Sequence, residues 1–300
     1  MQVRVLGSAA GGGVPQWNCG CENCREARRA GGSVVPRTQE SVAVSADGAA
    51  WFLLNVSPEV RAQIESFPSL WPRDRRHSPL AGLLLTNGDL DHCLGLLSLR
   101  ESYPLAVYAT ESVRSGFTSE NVLYRTLDRF AGQVTWRALA LGQEQQLGDS
   151  PLTVTAVGTP GKLPLHLEGR RAPGPDDNVG LLIRDNRTGK SLAYFSGVAG
   201  PSPALVQAVS AADLVFFDGT FWSSDELIAA GLGTRRAEEM AHWPVGGADG
   251  SLPFLSRLRG RRVLIHINNT NPILRADSAE RRAVEAGGVE IAADGLELTL

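Results

Sequence analysis

Hydrophobic and polar positions alternate in short runs through the first half of the chain, which predicts strands separated by turns. Residues Gln2–Gly7 alternate and run into a glycine-rich turn, and Asp47-Gly48 marks a turn between two further strands. A short apolar run at 82–86 is typical of a buried strand. The first half therefore has predicted strands at residues 2–7, 41–46, 51–56, 82–86 and 105–109, and predicted helices at 94–101 and 111–119.

The second half repeats this style, and a turn at 186–190 between two apolar segments indicates a hairpin. Strands of mixed pairing with helices in both halves predict an α/β fold, with two sheets packed face to face and helices outside. No linker divides the chain, so we expect one domain over residues 1–300. The polar, Pro- and Gly-rich segment 167–178 is predicted to be a mobile loop and a candidate lid. The predicted strands lie at 152–157, 179–184, 191–195, 214–217, 263–267, 289–292 and 296–300, and the helices at 203–211 and 278–287.

The composition is that of an ordinary globular protein, with 300 residues, 43% of them hydrophobic and 20% charged. A net charge of −3 gives no electrostatic reason to expect nucleic acid or an anionic membrane as a partner. No apolar run is long enough to span a bilayer, and the N-terminus lacks the pattern of a signal peptide. We therefore expect a cytoplasmic protein, with a homodimer left open.

The segment T-N-G-D-L-D-H at residues 86–92 directly follows the predicted buried strand at 82–86. Polar side chains at the C-terminal edge of a strand point into the crevice where α/β proteins usually bind ligands. Asp91 and His92 offer an oxygen and a nitrogen to a single cation. The alternative is a loop in which Asp91 caps the following helix and His92 is incidental.

This segment resembles the metal-binding loop of the metallo-β-lactamase fold, a four-layer αββα sandwich, in which the loop usually reads H-x-H-x-D-H. Asp91 and His92 match its last two ligands, whereas Asn87 and Asp89 stand in place of the first two histidines. Val198 aligns with the position where many members place an Asp that bridges two metals. The resemblance implies that one metal site is kept and the other lost, with Asp89 left open as an additional ligand.

His266 ends an apolar strand near the C-terminus, which is the setting of the last metal ligand in this fold. A lone His there is also compatible with a hydrogen-bonded core residue. With Asp91 and His92 already placed, His266 is the natural third ligand. Two histidines and one carboxylate form the facial triad of non-haem Fe(II) oxygenases, which leaves positions open for O₂ and substrate.

Asp218 and His242 are a second pair of candidate residues. Asp218 ends another apolar strand, and His242 follows a predicted helix. Related phosphodiesterases of the fold carry an acidic residue and a His in similar places, where the carboxylate fixes the tautomer of a proton-handling His. The alternative is a turn-forming Asp and a surface His.

Cys19, Cys21 and Cys24 lie within six residues of each other. Thiolates this close can share one tetrahedral Zn²⁺, whereas a disulfide between such near neighbours is strained. A redox role is the alternative. In a related phosphodiesterase of the phosphonate pathway, a His three residues after the last active-site His completes such a site. The equivalent residue here is Asn269, an uncommon zinc ligand, so the fourth ligand is open between Asn269, another residue and water.

Over nearly its whole length the chain resembles the family of pyrroloquinoline quinone (PQQ) biosynthesis B proteins. The resemblance implies a metallo-β-lactamase-like fold and a role in making the quinone cofactor. It also implies Fe(II)- and O₂-dependent hydroxylation of the tyrosine ring of a small, peptide-derived, cross-linked Glu–Tyr substrate. A carrier of the finished quinone and a metal-dependent hydrolase are the alternatives. The motifs are L-G-S-A-A-G-G-G-x-P-Q-W-N-C at 6–19, R-T-Q at 37–39, the loop at 87–92, G-K-L-P at 161–164, F-D-G-T at 217–220, the His242 region and residues 267–272.

Overall fold

Within residues 1–128 and 130–300, which the computed structural model describes, the strands form two seven-stranded sheets. In chain order the strands are β1 (Gln2–Gly7), β2 (Ser41–Ser45), β3 (Trp51–Leu54), β4 (Leu80–Leu84), β5 (Leu105–Ala109), β6 (Val134–Ala138), β7 (Glu144–Gln146), β8 (Leu152–Gly158), β9 (Val179–Asp185), β10 (Ser191–Phe195), β11 (Leu214–Asp218), β12 (Arg261–Ile265), β13 (Glu290–Ile291) and β14 (Glu297–Thr299). The first sheet has the order β14-β1-β2-β3-β4-β5-β6, and the second has the order β13-β12-β11-β10-β9-β8-β7.

The helices connect strands within both sheets. They are α1 (Glu22–Arg28), α2 (Val60–Glu65), α3 (Leu90–Cys93), α4 (Glu111–Phe117), α5 (Pro203–Ala211), α6 (Glu226–Ala229), α7 (Ser251–Leu255) and α8 (Ala279–Ala286). Short 3₁₀ helices lie at Pro68–Leu70, Leu94–Ser98, Val122–Thr126, Leu165–Leu167, Glu238–Met240 and Pro272–Leu274. None of the helices in the described parts of the chain is long and apolar enough to cross a lipid bilayer.

The apolar side chains form three layers, as an αββα sandwich requires. Because neighbouring residues of a strand point to opposite faces, Phe216 lies between the two sheets while Phe217 packs under the helices on the outside. In the other sheet, Phe52 lies between the sheets while Leu53 packs on the outer face. The predicted four-layer arrangement is confirmed.

Some elements differ from the sequence prediction. The edge strands β6 and β7 were not predicted, because their residues are largely exposed or polar and lack a clear apolar alternation. The helix predicted at 94–101 is wrong, since that segment forms the 3₁₀ helix Leu94–Ser98 after the single turn of α3. The physical reason lies at Gly95, whose N–H donates to Val56 O at 3.0 Å and whose missing Cβ lets the chain approach Ser57. The chain is thereby held against the end of β3.

The polar candidates follow strands that run parallel to a neighbour, and they lie where those strands end. In the first sheet β3 and β4 are parallel, and Asn55 and Thr86 follow them. In the second sheet β11 and β12 are parallel, with Asp218 at the end of β11 and His266 directly after β12. Ligand sites in α/β folds form at this end of parallel strands.

The segment 167–178 is attached to the first sheet by hydrogen bonds at the start of α4. Thr110 Oγ1 donates to Asp176 O at 2.6 Å, and Ser112 Oγ donates to Asp176 Oδ1 at 2.8 Å. An ion pair between Arg171 and Asp177 closes the segment on itself. That this segment moves as a lid stays a prediction. The hydrogen bonds of Thr110 and Ser112 to Asp176 are the contacts that such a movement would have to break.

Candidate metal centre

Asp91, His92 and His266 converge on a common point from the two sheets. Asp91 and His92 lie on α3 after β4, and His266 follows β12. Asp91 Oδ2 lies 3.1 Å from His266 Nε2 and 3.6 Å from His92 Nε2. Within the described residues, one ligand atom from each side chain lies within 4.8 Å of the others, as binding to a single ion requires.

The helix-capping alternative for Asp91 does not match this geometry. Asp89, and not Asp91, occupies the N-cap position of α3, and its side chain makes no capping hydrogen bond. Asp91 lies in the first turn, with its carboxylate turned to the two imidazoles. Its carboxylate therefore lies where a metal ligand could lie, and its role as a ligand stays a prediction.

His266 is held in a left-handed backbone conformation, with a φ of 59°. Such a conformation costs a non-glycine residue on the order of 1–3 kcal/mol and persists where the surroundings enforce it. Here the next residue, Ile267, donates its N–H to Ser8 O at 3.0 Å and accepts from Ala10 N at 2.9 Å. These bonds hold the strand end, and the left-handed turn directs the imidazole to Asp91.

The two histidines differ in charge. Burial lowers the pKa of His92 to about 4, so this imidazole is neutral near pH 7. Burial also opposes the charged form of His266, but its hydrogen bond to Asp91 and the charge of Asp91 outweigh burial and raise the pKa to about 9. The pKa of Asp91 is correspondingly held well below its usual range, because His92 and His266 outweigh the burial that raises it.

His92 Nε2 is a buried imidazole nitrogen that has no hydrogen-bond partner among the residues that the structure describes. Buried polar atoms in folded proteins are nearly always paired. A neutral imidazole with an unpaired nitrogen facing a carboxylate and a second imidazole is a donor set that suits a divalent transition metal. The residues present therefore fit the metal that the sequence predicts.

Asp218 and His242 form a hydrogen-bonded pair beside this group. His242 Nδ1 lies 2.7 Å from Asp218 Oδ2, and the His242 ring stacks on His266 with centroids 5.3 Å apart. Asp218 is fully buried, which raises its pKa, but the charge and hydrogen bond of His242 together with the charge of His266 and the hydrogen bond from Thr220 outweigh burial and lower it. This geometry matches the predicted pair and not a surface His with a turn-forming Asp.

Asp218, His242 and His266 also lie close enough together to be read as a metal-binding group. Both carboxylate oxygens of Asp218, however, already accept hydrogen bonds. Oδ1 accepts from Thr220 N at 3.0 Å and from Thr220 Oγ1 at 2.6 Å, and Oδ2 accepts from Val198 N at 2.9 Å. We therefore assign the candidate site to the group with Asp91.

The positions that would hold another metal are engaged elsewhere. Asp89, left open by the sequence as an extra ligand, is turned to Lys162, whose Nζ lies 3.1 Å and 3.2 Å from its two carboxylate oxygens. Asn87 Oδ1 accepts from Asp89 N at 2.9 Å. Val198 is fully buried and apolar. None of these three side chains offers a free ligand atom.

The thiols of Cys19, Cys21 and Cys24 lie within 4.8 Å of one another. Asn269 Nδ2 lies over them, 3.2 Å from Cys19, 3.5 Å from Cys21 and 3.4 Å from Cys24. The structure thus brings Asn269, one of the candidates left open for the fourth ligand, next to the three sulfurs, with the donor side of its amide facing them. Asn23 Nδ2 fixes this segment by donating to Asn269 O at 3.0 Å.

Glu40 is a site residue that the sequence analysis missed. It is fully buried just before β2, and its Oε2 lies 3.8 Å from His92 Nε2. Burial raises the pKa of Glu40 to about 8. The signal in the sequence was its position after the R-T-Q motif at 37–39, and that signal does not reveal its proximity to His92, which is distant in sequence.

A cavity of about 520 Å³ opens over the candidate metal ligands. Its wall combines charged groups with apolar side chains. The charged and polar members include Lys162, His166, Glu168 and Arg235, and the apolar members include Leu90, Pro164, Leu165, Phe221 and Met240. The wall therefore offers both ionic and apolar contacts to a small molecule.

Comparison with known proteins gives the family. The model of the β-lactamase superfamily domain matches residues 50–267. Coenzyme PQQ synthesis protein B from Azotobacter vinelandii is 44% identical and that from Rhodopseudomonas palustris 46% identical, each over 100% of both chains. The chain belongs to the coenzyme PQQ synthesis protein B family. The crystal structure of Zn²⁺-bound PqqB from Methylobacterium extorquens, 44% identical, superimposes over 100% of both chains with a TM-score of 0.94.

More distant structures share the fold alone with this family member. A diphosphatase of the PhnP family matches with a TM-score of 0.66 at 19% identity, covering 99% of this chain and 96% of that one. Human tRNase Z, short form, matches with a TM-score of 0.60 at 15% identity, covering 100% of this chain and 99% of that one. The metallo-β-lactamase fold predicted from the 86–92 segment is confirmed by the superfamily model over residues 50–267 and by the superposition on the Methylobacterium structure.

Proposed function

We propose that the protein acts in PQQ synthesis as an Fe(II)- and O₂-dependent hydroxylase of the tyrosine ring in a small, cross-linked Glu–Tyr substrate. The observation that carries the proposal is the convergence of Asp91, His92 and His266 in a site whose other metal-binding positions are engaged elsewhere. Two imidazoles and one carboxylate are the donor set of non-haem iron oxygenases. Hydrolases of this fold commonly use two metals, so the engaged positions disfavour hydrolysis.

The three side chains would hold the metal through His92 Nε2, His266 Nε2 and a carboxylate oxygen of Asp91. Fe(II) bound there would supply the activation of O₂, in the coordination positions that a three-residue site leaves open. The Zn²⁺ in the Methylobacterium relative is compatible with this proposal, because nitrogen and oxygen sites generally bind Zn²⁺ more tightly than Fe²⁺.

His242 is the proposed proton-handling residue. Its Nδ1 is occupied by the hydrogen bond to Asp218, and its ring lines the cavity beside His266. Its Nε2 is therefore the atom that would accept a proton from the phenolic hydroxyl of the substrate. A buried carboxylate behind the imidazole stabilises the imidazolium that forms.

The cavity wall supports a zwitterionic substrate. Lys162 and Arg235 would pair with substrate carboxylates, and Glu168 with an ammonium group, since charge-assisted hydrogen bonds give both affinity and orientation. Phe221 and Met240 would pack against the ring. We also propose a structural zinc held by Cys19, Cys21 and Cys24, with the Asn269 side chain next to it.

The test is anaerobic reconstitution with Fe(II), followed by addition of O₂, an external two-electron reductant and the cross-linked Glu–Tyr compound. Each hydroxylation would place one oxygen atom of O₂ on the ring and reduce the other to water with two electrons from that reductant. We expect O₂ uptake and a product that carries one added oxygen atom per hydroxylation, both lost in His92→Ala and His266→Ala. His77→Ala, which changes a histidine outside the cavity, is the matched control. Stoichiometric active-site iron and full turnover in either ligand variant would overturn the assignment. Binding of the finished quinone without O₂ uptake would favour a carrier, and O₂-independent bond cleavage a hydrolase.

A further inference from the structure

We infer that Thr86 and Thr220 are positioning residues that hold the proton of His92 and of His266 on Nδ1, so that Nε2 of each imidazole is the atom offered to the metal. The metal would displace from His266 Nε2 the proton that this atom donates to Asp91 in the metal-free protein. This inference rests on the proposed metal centre. It follows from two chains of hydrogen bonds. In each chain, the first hydrogen bond determines which atom donates in the next one.

The first chain begins at a backbone amide. Thr86 N–H can only donate, and it lies 3.0 Å from Asn55 Oδ1. Thr86 Oγ1 lies 3.0 Å from that same oxygen, so the single hydroxyl proton is given to Asn55. The Thr86 oxygen, 3.2 Å from His92 Nδ1, is left as an acceptor. His92 must therefore hold its proton on Nδ1, and this leaves the lone pair on Nε2.

The Asn55 amide is itself held in this orientation. Its Nδ2 donates to Glu40 Oε2 at 3.0 Å and lies 3.2 Å from the Tyr194 hydroxyl. Asn55 also has a φ of 60°, in the left-handed region that Asn tolerates better than most residues. Rotation of the amide by half a turn would place its NH₂ group against the Thr86 N–H, and because both groups are donors, the orientation with Oδ1 on Thr86 is favoured.

The second chain begins at a carboxylate. Asp218 Oδ1 accepts from Thr220 N–H at 3.0 Å and lies 2.6 Å from Thr220 Oγ1. An ionised carboxylate only accepts, so the Thr220 hydroxyl donates to it in preference to the more distant carbonyl of His266 at 2.9 Å. The Thr220 oxygen then accepts from His266 Nδ1 at 2.8 Å. His266 Nε2 is left to face Asp91.

Thr86, after a strand of the first sheet, and Thr220, after a strand of the second, therefore have the same role. Each accepts a hydrogen bond from Nδ1 of one candidate ligand. A metal needs the unprotonated nitrogen, and an imidazole whose other nitrogen donates to a fixed acceptor is held in the correct tautomer and orientation. Thr220 has an added consequence, because its hydroxyl lies between the metal ligand His266 and the Asp218–His242 pair. Loss of such outer partners typically weakens metal binding by about 10–100-fold.

The experiment compares Thr86→Val and Thr220→Val, which remove the hydroxyl and keep the shape, with Thr86→Ser and Thr220→Ser, which keep the hydroxyl. Thr153→Val is the matched control, because Thr153 is a buried threonine whose hydroxyl has no partner among the described residues. The readout is the dissociation constant for Zn²⁺ at the active site, with the cysteine site already filled. We expect weakening by about 10–100-fold in the two Val variants, recovery in the Ser variants and no change in Thr153→Val.

Imidazole ¹⁵N spectra of the Zn²⁺-loaded wild-type protein give a second readout that needs no variant to fold. We expect His92 and His266 each to show a proton on Nδ1 and none on Nε2. A proton on Nε2 of either residue, or unchanged affinity in both Val variants, would overturn the inference. If Zn²⁺ affinity in His92→Ala equals that of wild type, the proposed metal centre itself fails, and the tautomer of His92 in metal-free protein still decides the Thr86 chain.

Discussion

The Nδ1 atom of His242 lies 2.7 Å from Oδ2 of Asp218, while its ring stacks on the candidate metal ligand His266. The His242 imidazole thus contacts both the buried Asp218 carboxylate and the candidate ligand His266, but it is not one of the candidate ligands itself. The proposed proton-handling residue is therefore distinct from the proposed metal ligands, and the two roles can be tested independently.

Replacement of His242 by Ala should leave the active-site metal in place and slow turnover. The proposed base would be gone, and general acid–base catalysis typically contributes about 10²–10⁴-fold. Asp218→Asn should give a smaller loss, because the imidazole would remain without its carboxylate. Metal content and the pH–rate profile are the measurements. A His242→Ala enzyme with the wild-type rate and pH profile would rule out the proposed role.

Two carboxylates of one short loop provide a matched pair. Asp91→Asn should weaken binding of the active-site metal by more than about 100-fold, beyond the loss expected for an outer partner. Asp89→Asn should leave the affinity nearly unchanged, because Asp89 is paired with Lys162 at 3.1 Å and does not face the ligand group. Calorimetric titration with Zn²⁺ measures both. Equal losses in the two variants would mean that Asp89 is also a ligand.

The prediction for the cluster of Cys19, Cys21 and Cys24 concerns the stability of the folded protein. Cys21→Ser should abolish zinc at this site and destabilise the protein by about 2–3 kcal/mol, the upper end of ordinary substitutions, because the bound ion contributes directly to folding. Cys93→Ser is the control, since Cys93 is buried away from the cluster, its Sγ 3.4 Å from Gly88 O. Zinc content that is unchanged in Cys21→Ser would contradict the assignment.

The convergence of the candidate ligands could be predicted from the sequence because each of them follows an apolar strand. Asp91 and His92 come directly after the run at 82–86, and His266 ends another such run. Asp91 and His92 therefore lie in a recognisable loop motif, and His266 lies at the end of a recognisable apolar strand. The fold could be predicted for the same reason, since strands with buried faces have a strong apolar signal.

The residues behind the ligands had no such pattern. Glu40, Asn55 and Thr86 are single polar residues beside strands, and they act through contacts between segments distant in sequence. The left-handed conformation of Asn55, which brings its amide to Thr86, is a property of the folded chain. The edge strands β6 and β7 were missed because exposed strands need no apolar alternation.

Glu40 makes the protein's stability depend on pH in a direction that can be worked out. Burial raises its pKa in the folded, metal-free protein to about 8, against an ordinary value of 4.5. Folding therefore favours the protonated carboxyl. This contribution is fully present below about pH 4.5 and is lost as the pH rises through about 8. Glu40→Gln keeps an oxygen acceptor for Asn55 but cannot ionise.

We therefore expect the free energy of unfolding of wild type to fall relative to Glu40→Gln as the pH rises from 5 to 8, by up to about 1.4 kcal/mol per pH unit. Asp91, which contributes most to the raised pKa of His266, acts in both proteins, whereas the smaller contribution of the Glu40 charge is absent in Glu40→Gln. Glu144→Gln, at an exposed site in β7, is the control and should run parallel to wild type. Urea unfolding of metal-free protein across this range is the measurement. Parallel curves for wild type and Glu40→Gln would mean that Glu40 is already ionised when buried, and that a nearby cation compensates its charge.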